Sequence, residues 1–241
     1  MSRLDTPTAG VSLEWCGGPT FAVRYRGISF YLEPGPEAGP VADADMVIVG
    51  GRPSLNVPVL TGILAASTHA KMVLPKGIGE YAHAQGLDYH RMTTTDAALR
   101  VEYFKNGEYG RIYGVPAARR DEDGVPQLDY TPIGGFPQIG FMARFGACTV
   151  FHSGRGVPYS ELADRLRPYS PNVAIVSIGP DTFTEAQAAD LAEQLQLPWL
   201  VPAPATPEHG QRFLEHMLGH RPLQRFKMFE PGETWEIPGT A

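Results

Sequence analysis

Two short apolar runs constrain the fold of this chain most strongly. Residues 45–50 place four apolar residues between Asp45 and Gly50, and Val173–Ile178 forms a second run of the same kind. Runs of this length without polar alternation are typical of strands that are buried on both faces of a sheet. Since both faces of such a sheet must be covered, we expect helices outside the sheets.

The order of the other predicted elements supports this arrangement. Thr20–Tyr25 and Ile28–Leu32 predict one hairpin, residues 101–104 and 111–115 a second, and residues 139–145 and 148–152 a third. Helices are predicted at 59–67, 79–85, 159–166, 184–194 and 208–218, and a long loop at 117–138. A strand-rich first half followed by alternating helices and strands predicts an α/β fold with two sheets and helices outside.

Composition excludes several classes of protein. The chain has 241 residues, 43% of them hydrophobic, a net charge of −6 and two cysteines. We therefore expect it to bury a core and to lack a membrane-spanning run, a secretory signal, a disulfide framework and a basic run. We expect one domain over residues 1–241, located in the cytoplasm, that binds neither nucleic acid nor membrane.

Seven segments in sequence order resemble the metallo-β-lactamase superfamily, and within it the branch that is similar to L-ascorbate-6-phosphate lactonase. They are residues 15–27, 31–34, 45–50, 111–118, 135–141, 151–154 and 199–202. The resemblance covers about residues 11–237 and implies a four-layer αββα sandwich with the active site at one edge of the two sheets. It also implies a hydrolase with two zinc or manganese ions, and self-association into homo-oligomers.

The residues that would bind the metals in this superfamily are replaced. Its first motif, His-x-His-x-Asp-His, corresponds here to Gly51, Pro53, Leu55 and Asn56. None of these residues is a zinc ligand, because zinc is bound by imidazole, carboxylate or thiolate groups.

The three later ligand positions are replaced as well. Arg119 stands where the next histidine belongs, Arg155 where the bridging aspartate belongs, and Pro204, or Ala203 if the match slips by one, where the last histidine belongs. Two-metal hydrolysis depends on metal-activated water, and one catalytic zinc alone needs about three protein ligands. The sequence therefore predicts a protein without a metal or other cofactor.

The replacements themselves suggest a binding pocket. Arg119 and Arg155 are predicted to converge on the former metal site, with Arg52 in the loop beside them. Guanidinium groups suit phosphate and carboxylate, which favours a small anionic ligand. The alternative is that an arginine pairs with a local acid, for which the chain offers Glu33, Asp43, Asp45, Asp121, Glu122 and Asp123.

Three further residues are candidates near this pocket. Glu33 and His152 each end a predicted strand and are candidate ligand-binding residues, although His152 is also consistent with a structural role. Together with His209 they could form a replacement metal site. Cys16 and Cys148 are predicted to be unreactive, since a nucleophilic cysteine needs a nearby base.

Two function hypotheses follow. The first is a metal-free, non-hydrolytic protein of the metallo-β-lactamase fold that binds a small phosphorylated or carboxylated ligand or acts as a regulatory partner. The alternative is a hydrolase of lactones or phosphoesters that works with a non-standard or absent metal site.

Overall fold

The computed structural model describes residues 8–38, 41–129 and 135–239, and its backbone forms two large sheets. The first sheet has the order β15-β1-β2-β3-β4-β5-β6. Its strands are β1 (Thr8–Gly17), β2 (Thr20–Tyr25), β3 (Ile28–Leu32), β4 (Met46–Ile48), β5 (Lys71–Pro75), β6 (Met92–Thr95) and β15 (Thr234–Pro238).

The second sheet has the order β14-β13-β12-β11-β8-β7. Its strands are β7 (Arg100–Lys105), β8 (Glu108–Pro116), β11 (Ile139–Phe145), β12 (Cys148–His152), β13 (Val173–Ile178) and β14 (Trp199–Pro204). A separate small hairpin pairs β9 (Arg119–Arg120) with β10 (Pro126–Gln127).

Helices cover the outer faces of both sheets. They are α1 (Val57–Ala66), α2 (Gly79–Ala84), α3 (Leu162–Leu166), α4 (Glu185–Leu195) and α5 (Pro207–His220). Single 3₁₀ turns lie at Pro36–Ala38, Arg52–Ser54, Lys76–Ile78, Tyr89–Arg91 and Arg167–Tyr169.

Three apolar layers hold these elements together. Phe21 and Phe30 of the first sheet meet Phe141 and Phe145 of the second in the central layer. The first sheet packs its other face against α1 and α2, and the second packs against α3, α4 and α5. Both apolar runs, now β4 and β13, are fully buried. The four-layer αββα prediction is therefore confirmed.

The directions of the strands bring several loops to one edge. β3, β4, β5 and β6 run parallel to one another, and so do β12, β13 and β14. Parallel strands present their carboxyl ends on the same side of a sheet, where ligand sites of such sheets commonly form. The loops after β4, β12 and β13 all contribute residues to the pocket described below.

Two sequence predictions were wrong in extent. The helix predicted at 159–166 begins only at Leu162, because Val157 pairs with Ala118 and draws the preceding residues toward β9. The loop predicted at 117–138 contains β9 and β10, whose connection is stabilised by Asp121 accepting hydrogen bonds from the backbone of Asp123 and Val125. Residues 130–134 of that loop lie outside the described residues.

The sequence analysis also missed strand β6, whereas it predicted helix α4 well. β6 escaped notice because its Met-Thr-Thr-Thr sequence lacks an apolar pattern, although its pairing with β5 is regular. α4 begins after Thr184 as expected, with Thr184 and Gln187 forming a reciprocal capping box. None of the helices in the described part of the chain is long and apolar enough to cross a membrane.

Candidate functional site

A pocket of about 420 Å³ opens at the edge where the loops after β4, β12 and β13 meet. It is lined by Pro53, Arg119, Arg120, Gln138, Arg155, Asp181 and Thr182. Three predicted positions, Pro53, Arg119 and Arg155, are thus brought together. Pro204, at the end of β14, does not line this pocket.

Backbone hydrogen bonds hold the lining segments in place. The N–H of Ile139 donates to Gly50 and the N–H of Ala117 donates to Gln138, while Gly51 and Gln138 form an antiparallel bridge. The segment before β11 is therefore fixed between the loop after β4 and the end of β8. This pairing places Gln138 in the same pocket as Pro53, Arg119 and Arg155.

The two arginines that the superfamily resemblance places at metal-ligand positions have different surroundings. Arg119 is 66% exposed and forms an ion pair with Asp129, which is not one of the six acids weighed above. Arg155 is exposed and makes no hydrogen bond or ion pair with another described residue. Its neighbour in the pocket, Arg120, donates to the carbonyl oxygen of Gly124. Arg155 is therefore the guanidinium most available to a ligand.

Arg52, Leu55 and Asn56, which the sequence analysis assigned to the same loop, have structural contacts. The Arg52 guanidinium lies 4.3 Å from the ring centroid of Tyr81 in α2, and Arg52 does not line the pocket. Leu55 packs against the apolar layer beneath α1. Asn56 caps the amino end of α1, where its side chain accepts a hydrogen bond from the N–H of Val59.

Glu33 lies beneath the pocket without lining it. Its side chain is buried and accepts hydrogen bonds from the N–H of Gly50 and the hydroxyl of Ser54. Burial raises the pKa of Glu33 to about 7, although those two hydrogen bonds and the charge of Arg155 act to lower it. Its backbone φ of 52° lies in the left-handed region that non-glycine residues rarely adopt.

His152 is held as a neutral, buried group. Its Nε2 lies 2.9 Å from the carbonyl oxygen of Pro19, and its Nδ1 accepts a hydrogen bond of 2.9 Å from the N–H of Gly154. Its ring stacks on Phe141. Burial, together with the nearby charge of Arg155, lowers the pKa of His152 to about 4. Both ring nitrogens have partners, so the arrangement supports a structural role.

Gln138 lines the pocket and was not singled out in the sequence, although it lies in the segment 135–141 that carried part of the resemblance. It is only 8% exposed, and its buried Nε2 has no hydrogen-bond partner among the described residues. A buried amide without a partner is unusual, because it has lost its hydrogen bonds to water without replacement. Nothing in a glutamine's sequence context signals this, since it results from the surrounding packing.

The donors around the pocket do not fit a metal ion. Guanidinium groups cannot coordinate zinc or manganese, and among the described residues no three His, Cys, Asp or Glu side chains are grouped as metal ligands would be. Glu33, His152 and His209 are thus not gathered into a site, and His209 instead places Nδ1 2.8 Å from the hydroxyl of Thr206.

The cysteines show no sign of reactivity. Burial raises the pKa of Cys148 to about 12, and burial with the nearby Glu14 carboxylate raises the pKa of Cys16 to about 11. A thiol with a raised pKa is a poor source of the nucleophilic thiolate.

Comparison with known proteins identifies the fold. No family model and no curated protein matches the sequence. Among solved structures, the chain is similar to Igni18, a metallo hydrolase from the archaeon Ignicoccus hospitalis, with 19% identity, 93% of this chain and 97% of that chain covered, and a TM-score of 0.67.

Two further structures agree. The metallo-β-lactamase fold protein YhfI from Bacillus subtilis is 11% identical, with 94% and 98% of the two chains covered and a TM-score of 0.67. An isothiocyanate hydrolase from Delia radicum gut bacteria is 14% identical, with 95% and 100% covered and a TM-score of 0.67. The chain therefore has the metallo-β-lactamase fold. Its structural neighbours include metal-dependent hydrolases.

Proposed function

We propose that this chain is a metal-free, non-hydrolytic protein of the metallo-β-lactamase fold that binds a small phosphorylated or carboxylated ligand. The ligand occupies the pocket lined by Arg119, Arg155 and Gln138. The observation that carries the proposal is Arg155, an arginine at a former metal position that faces the pocket without an acidic partner among the described residues.

The electrostatics of the pocket support an anion. Three guanidinium groups line it against one carboxylate, that of Asp181. Arginine presents several donors in a plane and binds carboxylate or phosphate through paired hydrogen bonds. The net charge of −6 for the whole chain therefore does not describe this local region.

The donor set supports the non-hydrolytic part of the proposal. Hydrolysis in a metal-dependent hydrolase of this fold needs ligands that the pocket does not offer. His152 has both nitrogens engaged and Glu33 does not line the pocket, so neither is placed to activate a water there.

Calorimetric titration tests the proposal. Phosphate, a sugar phosphate and a dicarboxylate are titrated into the wild type, Arg155→Ala and the control Arg144→Ala, whose arginine is exposed on β11 away from the pocket. We expect Arg155→Ala to weaken binding roughly tenfold or more, because a charge-assisted hydrogen bond is lost. The proposal is wrong if no anion binds more tightly than millimolar, or if the two variants bind alike.

A hydrolase of lactones or phosphoesters is the second candidate, because the solved structures with this fold include metal-dependent hydrolases. Activity toward lactones and phosphoesters, assayed with and without added zinc or manganese, separates the two candidates. Turnover that depends on an added metal and disappears with a chelator would replace the first candidate with the second.

Self-association and a regulatory role also belong to the proposal. A native mass measurement of the purified protein tests for a homo-oligomer, and a monomer at working concentration would remove that part alone.

A further inference from the structure

Three polar side chains around the pocket make no hydrogen bond to another described residue. They are the guanidinium of Arg155, the carboxylate of Asp181 and the amide of Gln138, which all line the same pocket. One is a cation, one an anion and one a neutral donor and acceptor. Such a set complements a ligand that itself carries an anionic group and a neutral polar group.

Gln138 is the most informative of the three. It is more than nine-tenths buried, and its Nε2 has no partner in the part of the chain that the structure describes. The last side-chain torsion of glutamine has broad minima, so the amide can turn without moving the backbone. The backbone of Gln138 is itself fixed by the bridge to Gly51 and by the hydrogen bond from Ala117. An oxygen atom of a ligand at the pocket wall could accept a hydrogen bond from the amide Nε2 of Gln138.

Asp181 restricts the charge of the ligand. Its carboxylate repels a compact dianion such as phosphate and accepts a hydrogen bond from a hydroxyl group. A ligand ammonium group would suit Asp181 alone, but it would also face the guanidiniums of Arg119, Arg120 and Arg155. A hydroxyl group meets the requirements of the whole pocket better than an ammonium group does.

Arg155 fixes where the anionic group binds. Arg119 is already paired with Asp129, whereas Arg155 pairs with no acid among the described residues. One planar guanidinium matches one planar carboxylate through two parallel hydrogen bonds. The volume of about 420 Å³ lies within the range of small-molecule sites.

We propose that the ligand is a hydroxyl-bearing organic carboxylate, whose carboxylate binds Arg155 and whose hydroxyl group is shared between Gln138 and Asp181. This inference rests on the proposed function and narrows its ligand class. It also makes Gln138 the residue that discriminates hydroxylated acids from plain ones.

The test compares three probes in calorimetric titrations: gluconate, hexanoate with the same number of carbons but no hydroxyl groups, and inorganic phosphate. Each is titrated into the wild type, Gln138→Met, Asp181→Asn and Arg155→Ala. Gln85→Met, at an exposed glutamine after α2, is the matched control for Gln138→Met. Thermal unfolding of every variant is recorded alongside.

We expect gluconate to bind the wild type more tightly than hexanoate or phosphate does. Gln138→Met should weaken gluconate roughly three- to tenfold, the value of one hydrogen bond, and leave hexanoate unchanged. Arg155→Ala should weaken both acids. Gln138→Met should unfold at no lower temperature than the wild type, which separates a lost ligand contact from a folding defect.

Two results would contradict the inference without contradicting the proposed function. In the first, phosphate or hexanoate binds the wild type as tightly as gluconate does. In the second, Gln138→Met leaves gluconate binding unchanged while Arg155→Ala weakens it. If none of the three probes binds the wild type, the inference is wrong; if the sugar phosphate and the dicarboxylate also fail to bind, the proposed function is wrong with it.

Discussion

The two ends of the short strand β4 hold buried carboxyl groups in opposite circumstances. Asp45, just before β4, is fully buried and accepts hydrogen bonds from the N–H of Ser29 (2.9 Å), the hydroxyl of Tyr103 (2.7 Å) and Nζ of Lys105 (2.9 Å). Nε2 of His69 lies 3.1 Å away. Burial acts to raise the pKa of Asp45, but these hydrogen bonds and the lysine charge outweigh it and hold the pKa below its usual value.

At the other end, Glu33 binds the loop after β4 through Gly50 and Ser54 and forms no ion pair with another described residue. Its pKa is raised to about 7 by burial. Close by, Gln138 lacks a partner for Nε2 among the described residues.

The comparison indicates that the Asp45 end of β4 stabilises the fold, while the Glu33 end can bind a ligand. Tyr103 and Lys105 belong to the second sheet, so the Asp45 cluster joins the two sheets by polar contacts that satisfy its carboxylate. The pocket edge instead retains polar groups that have no partner in the described part of the chain, which weakens the fold locally and leaves donors for a bound molecule.

The largest change in unfolding free energy is expected for a substitution of Asp45. Asp45→Ala removes the acceptor of the Ser29 N–H, of the Tyr103 hydroxyl and of the Lys105 ammonium, which is 34% exposed. A buried donor left without a partner costs about 1–3 kcal/mol of unfolding free energy, so the Ser29 and Tyr103 donors account for most of the expected loss. Urea unfolding measures this loss. Asp164→Ala, which breaks an exposed pair with Arg167, is the control and should cost less than about 1 kcal/mol. Equal losses of unfolding free energy in Asp45→Ala and Asp164→Ala would show that the buried Asp45 cluster contributes no more stability than an exposed ion pair.

The pKa of Asp45 also predicts the direction of a pH effect. Because the folded pKa is lowered, the contribution of Asp45 is present above the ordinary aspartate value of 3.8 and is lost as the pH falls through the folded pKa. Asp45→Ala should therefore differ less from the wild type in strong acid than at pH 7.

The contribution of Glu33 to stability should change with pH in the opposite direction. Its folded pKa of about 7 lies above the ordinary glutamate value of 4.5, so the folded state binds more protons and this group reduces stability as the pH rises through that interval. Glu33→Gln removes the charge. Its amide oxygen can still accept from the N–H of Gly50, while its NH2 group donates to the Ser54 hydroxyl and so reverses that hydrogen bond. Its stability relative to the wild type should rise by about 3 kcal/mol between pH 4 and pH 8.

Urea unfolding at several pH values measures this difference, and taking it between variant and wild type removes the separate contribution of His152. Glu236→Gln, at an exposed carboxyl group on β15, is the matched control. A Glu33→Gln advantage that shrinks as the pH rises would contradict the assignment.

Gln138→Met should have a smaller and favourable effect. Replacing an unpartnered buried amide by an apolar side chain of similar size should raise the unfolding free energy by about 1 kcal/mol. Thermal or urea unfolding measures the gain, with Gln85→Met expected to be neutral. A loss of stability would show that the amide is satisfied within the folded protein.

The smallest effect is expected for Arg119→Ala. Its ion pair with Asp129 is solvent-exposed, and such pairs contribute at most about 1 kcal/mol. The same urea titration should therefore barely distinguish this variant from the wild type, and a large loss would show that Arg119 stabilises the pocket edge.

The sequence predicted the sandwich because hydrophobic periodicity is local. The apolar runs that became β4 and β13, and the capped helix α4, could be read from neighbouring residues alone. β6 could not, because three threonines acquire their strand conformation from pairing with β5.

The pocket was predicted in part. Arg119 and Arg155 were placed at one site through the resemblance, and the structure brings them to one pocket. The stacking of Arg52 on Tyr81 and the pairing of Arg119 with Asp129 could not be predicted, since both depend on side-chain directions set by packing. The burial of Gln138 Nε2 without a partner among the described residues could not be predicted for the same reason.

The packing of Gln138 against Gly51 favours one order of substitutions in a mutational path toward a metal-binding protein. A Cβ atom at position 51 would lie 3.1 Å from Cγ of Gln138, 3.3 Å from its Cβ and 3.3 Å from the carbonyl oxygen of Pro137, before any imidazole is added. Replacing Gln138 by alanine removes the tightest of these contacts, while the other two need a small shift of the backbone. Laboratory evolution of this chain should therefore acquire a smaller residue at 138 before a ligand at 51.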